Sequence, residues 1–100
     1  MEPGEFSKRF SSHKLLQPVL EFSKEFFKEW NLVTFHDPLA AVSIFDRSVC
    51  SFHKGKVEIE LEEKNKQGQT KWFPAYNGKH QVAVKVNPER FFQKYFSVFK

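Results

Sequence analysis

The chain has 100 residues, enough for one small domain with a single core. Its hydrophobic content is 40%, including 13 Phe and 2 Trp, which indicates a folded protein and excludes an intrinsically disordered one. The formal charge is +4, and the 16 basic residues are interspersed with 12 acidic ones, so no basic block indicates a nucleic-acid-binding protein.

The cysteine count and the N-terminal residues indicate the compartment. Cys50 is the single cysteine, which excludes an intramolecular disulfide and fits a reducing environment. Residues 1–5 contain no apolar run, so we expect neither a signal peptide nor a membrane-spanning segment. We therefore expect a cytoplasmic protein that does not bind a membrane.

The N-terminal region is predicted to contain a loose arm and then a long helix. Residues 1–15 are expected to form a loosely held arm, because Pro, Gly and Ser dominate it and only Phe6 and Phe10 could anchor it. A helix is predicted from about Gln17 to Trp30. Its apolar residues recur at spacings of three and four, as an aromatic stripe typical of a core-facing helix: Leu15, Val19, Phe22, Phe26 and Trp30.

A second helix is predicted to begin at Asp37-Pro38 and to end near Phe45. Asp37 is expected to cap the helix, with Pro38 at the first helical position. Two interpretations of the start remain open. His36 and Asp37 could be reactive groups at a helix N-terminus, which favours negative charge. The more common alternative is that Asp37 only caps and His36 is an ordinary surface or packed histidine.

The second half of the chain is predicted to contain strands and a last helix. Strands are expected at residues 49–52, 57–62, 70–73 and 81–86, with a hairpin connection at 64–68. Val57, Ile59 and Leu61 alternate with glutamates, so they should face a core together with Val82, Val84 and Val86. A helix capped by Asn87 should cover this face with its aromatic residues. Taken alone, the chain is predicted to be a small α+β domain with three helices and a short antiparallel sheet.

Two weak metal sites can be recognised in the strands. Cys50 and His53 have the spacing of half a zinc site, to which His80 could add a third ligand, but an ordinary buried thiol is the more common role of Cys50. The three strand glutamates Glu58, Glu60 and Glu62 could bind a cation, although a solvated strand face is the more common arrangement.

The order of elements around His36-Asp37-Pro38-Leu39-Ala40 resembles the C-terminal part of the inosine/uridine-preferring nucleoside hydrolases. The likeness continues through Asp46-Arg47, strand 57–61, Gln67-Gly68-Gln69-Thr70, strand 82–86 and the helix that begins at Glu89-Arg90-Phe91. It covers residues 16–99. The resemblance implies an α/β fold for the family and hydrolysis of the N-glycosidic bond of purine and pyrimidine ribonucleosides.

The resemblance also implies roles for two residues. His36 would be the catalytic acid that protonates the departing base, and Asp37 would be a ligand of a Ca²⁺ ion. The acidic cluster that supplies most calcium ligands in the family does not occur in this sequence, and a single carboxylate cannot provide the six to eight oxygens that Ca²⁺ takes. We therefore expect residues 16–100 to be the C-terminal part of such an enzyme, without tight calcium binding or activity by itself.

A non-catalytic interaction domain derived from the same fold is the alternative. In either case we expect the stripe of Phe22, Phe26 and Trp30 to lack part of its cover. Uncovered apolar patches of several hundred Å² usually find another surface. We therefore expect self-association or a partner chain, with a ribonucleoside as the small-molecule ligand implied by the resemblance.

Overall fold

A computed structural model describes residues 1–99. They form four α-helices and one three-stranded antiparallel sheet, which confirms the α+β class but gives one helix more than the sequence predicts. The helices are α1 (Pro3–Phe10), α2 (Gln17–Phe26), α3 (His36–Phe45) and α4 (Pro88–Ser97), and the strands are β1 (Cys50–Ile59), β2 (Thr70–Pro74) and β3 (His80–Val86). None of these helices combines the length and hydropathy needed to cross a lipid bilayer.

Helix α1 lies in the segment that was expected to be a loose arm, and that expectation is corrected. Phe6 and Phe10 are 5% and 1% exposed, and together with Leu16 they are the buried centre of the helical core. The two rings stack at a centroid distance of 3.9 Å, because residues four apart lie on one face of a helix. The Pro and Gly residues that suggested an arm occupy the first turn of α1, where Pro is tolerated.

Helix α4 packs against the other helices and does not cover the sheet, which corrects a second expectation. Its buried residue is Phe91, and the Phe96 ring lies edge-on to the Phe10 ring at 5.3 Å. The valines of β3 remain exposed, with Val84 at 49%. The aromatic face of α4, which was expected to pack on the sheet, therefore packs against the aromatic residues of α1 and of the segment before α3.

The central strand β1 is continuous, although two separate strands were expected in this region. Its C-terminal half, from Gly55 to Ile59, pairs with β2, and its N-terminal half, from Cys50 to Gly55, pairs with β3 on the opposite edge. Residues 75–79 connect β2 to β3 and cross β1 at Gly55. The sheet order is therefore β2-β1-β3, with each outer strand covering half of the central one.

Gly55 is required where this crossing brings two backbone segments together. A Cβ atom at position 55 would lie 2.5 Å from the Phe73 carbonyl oxygen and 2.6 Å from a ring carbon of Trp72. A Cβ atom at Gly78 would overlap the backbone of Gly55 itself. The connection between β2 and β3 can therefore pass over β1 only because both positions lack a side chain.

An irregularity in the pairing of β1 with β3 divides the valines between the two sides of the sheet. The register shifts between Ser51 and Phe52, so that Val82 lies opposite His53 and Val86 lies opposite Cys50. Residues 50 and 53 of a strand point to opposite faces because side chains alternate. The expectation that the β3 valines share one face is wrong, since a sequence period cannot show a bulge in the ladder.

The segment from Asp46 to Val49 and the residue Asn87 connect the helices to the sheet. Val49 is fully buried there, and its carbonyl accepts the N–H of Asn87 at 2.8 Å. The Asn87 side chain caps α4 by accepting the N–H of Arg90, as the sequence predicts. Arg90 also lies 3.5 Å from the Asp46 carboxylate. A hydrogen bond from the Ser48 hydroxyl, with help from Arg90, lowers the pKa of Asp46.

The whole chain is extended for its length. Its radius of gyration is 17.7 Å and its principal dimensions are 48 × 32 × 18 Å, whereas a compact chain of this length has a radius of about 13 Å. Its accessible surface is 8186 Å², whereas a compact monomer of this mass exposes roughly 6,000 Å². The helices and the sheet therefore leave much of their apolar surface uncovered.

The ion pair between Glu60 and Lys71 should make stability depend on acid pH. Lys71 Nζ lies 2.5 Å from Glu60 Oε2, and the N–H groups of Glu62 and Glu63 donate to Oε1. The hydrogen bond from Lys71, followed by the two backbone bonds, lowers the pKa of Glu60 from 4.5 to about 2. Because the folded state binds this proton less readily than the unfolded state, the stabilisation is present above pH 4.5 and is lost as the pH falls towards 2.

Glu60→Gln should remove that part of the pH dependence. The measurement is the urea midpoint of both proteins at a series of pH values from neutral to acid. Added salt should weaken the effect in the wild type, because Lys71 is partly exposed. Identical pH profiles for Glu60→Gln and the wild type would contradict this role of the pair.

Candidate functional site

The N-terminus of α3 carries both residues that the resemblance assigns to catalysis. The helix begins at His36, and its N-cap is Phe35, whose carbonyl accepts the N–H of Leu39 at 3.1 Å. No side chain makes a capping hydrogen bond at this end. The capping role expected of Asp37 is therefore wrong, since Asp37 occupies the second helical position and Pro38 the third. Asp37 still lies in the first turn, where the helix dipole favours a carboxylate.

Both candidate side chains are accessible to solvent. His36 and Asp37 are classed as exposed, and neither makes a hydrogen bond or ion pair among those described for residues 1–99. They follow each other directly in the first turn of one helix, so they share one end of α3. The structure thus places both residues where a ligand or another polypeptide segment can reach them.

An apolar cleft adjoins this helix start. It has a volume of about 300 Å³ and lies between α1, α2 and the segment that leads into α3. Thr34, Phe35 and Pro38 line it on one side, immediately before and after His36 and Asp37 in the chain. Phe22 and Phe26 of α2 line the other side. A volume of this size matches the lower end of the range found for small-molecule pockets.

Phe35 holds the start of α3 against the helical core. Its ring lies 6.3 Å from the Phe10 ring, 5.2 Å from Phe92 and 6.1 Å from Tyr95. Aromatic pairs at these distances, many of them edge-on, stabilise the fold by more than the burial of their apolar area alone. The sequence pattern did not identify Phe35 as a functional residue, although an aromatic residue directly before a helix start could have signalled an anchor.

The described residues do not build a metal site around Asp37. Within residues 1–99, no group of three or more His, Cys, Asp or Glu side chains could hold a metal ion. Ca²⁺ takes six to eight oxygen ligands, and Asp37 offers a single carboxylate. These residues therefore do not fit a resident Ca²⁺ ion without ligands from elsewhere.

The two alternative metal sites of the strands are not assembled either. Cys50 and His53 both lie in β1, three residues apart, and so point to opposite faces of the sheet. His80 accepts the N–H of Val57 on its Nδ1 at 3.0 Å, which gives it a structural role at the start of β3. Glu58 in β1 pairs with Lys56, and Glu60 directly after β1 pairs with Lys71, so lysines compensate these two glutamates.

Comparison of the chain with protein-family models and with curated proteins finds no match. The resemblance to nucleoside hydrolases therefore depends on the residues quoted from the sequence. The sequence did not predict the apolar cleft, whose two walls come from α2 and from the segment that leads into α3. Its α2 wall was visible as an aromatic stripe, whereas its pairing with residues 33–38 is a property of the tertiary structure.

Proposed function

We propose that this chain contributes His36 and Asp37 to the site of a ribonucleoside N-ribohydrolase, and that a further polypeptide segment must complete this site. The observation that carries the proposal is the placement of both side chains, exposed and adjacent, at the start of α3 beside an open apolar cleft. If another polypeptide segment completes the active site, the residues of this chain that contribute to it should lie beside an uncovered apolar surface.

The chemistry assigns a distinct role to each residue. In N-glycosidic hydrolysis, water attacks C1′ of the ribose and loses a proton, which a carboxylate of the completing segment would accept, while the bond to the base breaks and its electron pair leaves with the base. His36, in its protonated form, would donate the proton that turns the base into a neutral leaving group, a contribution of about 10²–10⁴-fold in rate. Asp37 would provide one carboxylate to the calcium site that the resemblance implies, and the remaining ligands would come from the completing segment.

A cytoplasmic setting agrees with this proposal. Cys50 is the single cysteine of the chain and makes no disulfide. Cytoplasmic proteins keep their thiols reduced, whereas small secreted domains usually depend on disulfides. We therefore place the proposed reaction in the cytoplasm.

A non-catalytic interaction domain is the second candidate function. The observation that favours it is the large apolar surface of the chain, with Phe22 at 80% and Phe45 at 85% exposure. Soluble monomers rarely expose extended apolar patches unless these bind another molecule. In this case His36 and Asp37 would be ordinary residues of a helix start.

Complementation distinguishes the two functions. The purified chain is mixed with a separately expressed N-terminal portion of a nucleoside hydrolase that carries the family's Asp-x-Asp-Pro-Gly-x-Asp-Asp cluster, and release of base from inosine and uridine is measured with Ca²⁺. We expect no turnover by the chain alone and measurable turnover by the mixture. His36→Ala should lower that turnover by about 10²–10⁴-fold, whereas His53→Ala, at an exposed histidine of β1, should leave it unchanged.

Each contrary result has a defined meaning. If the two parts form a complex that hydrolyses neither nucleoside, the catalytic proposal fails and the interaction domain remains. If the chain alone shows turnover that disappears in both His36→Ala and Asp37→Ala, no completing segment is needed. A complex whose activity survives His36→Ala would exclude His36 as the acid.

A further inference from the structure

Basic and acidic residues are unevenly divided between the two halves of the molecule. Residues 47–86, which contain the sheet, carry eight basic and four acidic residues, whereas residues 1–46 carry five and seven. The four acidic residues of the sheet half all lie between positions 58 and 63, and three of them pair with a lysine: Glu58, Glu60 and Glu63. The strand segments that pair β1 with β3, and the connection before β3, therefore contain basic residues and no acidic one.

An open groove of about 720 Å³ lies in this basic region, between β1 and the connection from β2 to β3. Phe52 and Lys54 line it on the side of β1, and Tyr76 and Asn77 line it on the side of the connection. Lys54 is exposed, as is Lys79 at the end of the same connection. None of the ion pairs described for residues 1–99 involves either lysine. Both positive charges are thus available to an anionic ligand of the groove.

Tyr76 projects into solvent from a turn whose backbone is fixed. The Ala75 N–H donates to the Lys54 carbonyl at 3.1 Å, and the Gly78 N–H donates to the Ala75 carbonyl at 3.0 Å. The backbone at Gly78 also lies directly against that of Gly55. Tyr76 itself is 98% exposed. A ring in this position can stack on the face of a nucleic-acid base, and the backbone that carries it is already ordered before binding.

Aromatic and basic side chains alternate on the face of the sheet that adjoins the groove. Phe52, Lys54 and Lys56 share this face, because every second side chain of a strand points the same way. Phe73 of β2 lies opposite Lys56 and is 46% exposed. The Arg47 guanidinium lies over the Phe52 ring, 4.2 Å from its centre. Rings and cations are therefore interleaved over a surface that continues the groove.

We propose that the groove binds single-stranded nucleic acid, with a base stacked on Tyr76 and phosphate groups beside Lys54 and Lys79. Proteins that bind single strands combine aromatic rings, on which bases stack, with basic residues that follow the phosphates. An acidic peptide or an anionic lipid surface would use the lysines and leave the ring without a base to stack on. The bases of a duplex are already stacked on one another, so a duplex would use the lysines alone.

Fluorescence anisotropy of labelled oligonucleotides tests the proposal on the full chain. The probes are an oligothymidylate and an oligouridylate of about 16 nucleotides, the upper end of the site sizes of small single-strand-binding domains. We expect both to bind at low salt, and the tighter of the two identifies DNA or RNA as the ligand. Lys54→Gln should make the slope of log K against log salt shallower by about 0.7, the value for one phosphate contact of a single strand. Lys64→Gln is the matched control, since Lys64 is also exposed but lies between β1 and β2, outside the groove.

Tyr76→Ala separates stacking from charge. It should raise the dissociation constant by about 5-fold or more, because the stack of one base on one ring is worth at least this factor, and it should leave the salt slope unchanged. Phe45→Ala, at an equally accessible ring on α3, should bind like the wild type. Since Tyr76 is almost fully exposed, Tyr76→Ala should keep the far-ultraviolet circular dichroism of the wild type.

Three results would overturn the proposal. The first is the absence of binding to either oligonucleotide at low salt. The second is a Tyr76→Ala variant that binds as tightly as the wild type, which would show that only charge attracts the strand. The third is equal or tighter binding of a duplex or of polyglutamate of the same length. None of these measurements involves nucleosidase activity, so the strand-binding groove can fail while the proposed function stands.

Discussion

Replacing Phe10 with alanine should lower the free energy of unfolding by about 3–5 kcal/mol. The Phe10 side chain is 1% exposed and its ring contacts those of Phe6, Phe35 and Phe96, so that truncation leaves a cavity among three elements. The total stability of a domain of this size is about 5–15 kcal/mol. The variant should therefore unfold at a much lower urea concentration than the wild type.

Phe45→Ala is the control for this prediction. The Phe45 side chain is 85% exposed in the single chain, and surface substitutions usually change stability by about 0.5 kcal/mol or less. Urea titrations of all three proteins, followed by circular dichroism at one low protein concentration, give the comparison. Equal midpoints for Phe10→Ala and Phe45→Ala would show that α1 is not part of the core.

Replacing Gly55 with alanine should destabilise the sheet by about 1–3 kcal/mol, the range for overpacking a tight site. The added methyl group would meet the Trp72 ring and the Phe73 carbonyl oxygen, and the backbone at Gly78 crosses the same position. Because that backbone cannot move without breaking the pairing of β2 or β3, relaxation should be incomplete. Thermal unfolding monitored by tryptophan fluorescence measures the effect through Trp72 itself.

Gly4→Ala provides the matched glycine substitution. A Cβ atom at position 4 meets nothing within 4 Å, and the residue lies in α1. Alanine is preferred to glycine in a helix by up to about 1 kcal/mol, so this variant should be as stable as the wild type or more stable. If Gly55→Ala behaves in the same way as Gly4→Ala, the strand crossing at Gly55 is looser than the structure indicates.

The sequence predicted best those features that depend on residues close together in the chain. The start of α2 at Gln17, the end of α3 at Phe45 and the Asn87 cap of α4 follow from local signals, namely Pro in a first turn, apolar spacing and an Asn-Pro pair. The strand regions could be found for the same reason, since apolar alternation is a local property, although the two strands expected at 49–52 and 57–62 are the single strand β1.

The expectations that failed for α1, α4 and β3 depended on contacts between distant segments. Helix α1 is stabilised because Phe10 contacts the rings of α4 and Phe6 contacts the ring of Phe27, and no window of residues 1–15 contains that information. The same contacts draw α4 away from the sheet. In β3, the shift of register near Phe52 turns Val86 to the other face, although the valine spacing remains regular in the sequence.

The position of the candidate residues near a helix start could be predicted from the sequence, whereas their surroundings could not. His36 and Asp37 lie in the first turn of α3, close to the helix start that the sequence predicts. The N-cap is instead Phe35, whose ring contacts with Phe92 and Tyr95 hold the chain so that the helix begins two residues earlier than the Asp-Pro signal suggests. The cleft beside them could not be derived from the stripe on α2, since its second wall comes from residues 33–38.

The contact between α1 and α4 also bears on the order of events in folding. The rings of Phe10 and Phe96 close a loop that runs through nearly the whole chain, whereas β1, β2 and β3 pair within residues 50–86. Closing a longer loop costs more chain entropy, and hairpins form in about 1–10 μs. In this chain the sheet therefore pairs residues that are closer in sequence than those that meet in the helical core. In most proteins, helices are the more local structure. The sheet can thus form before the aromatic core closes around α1.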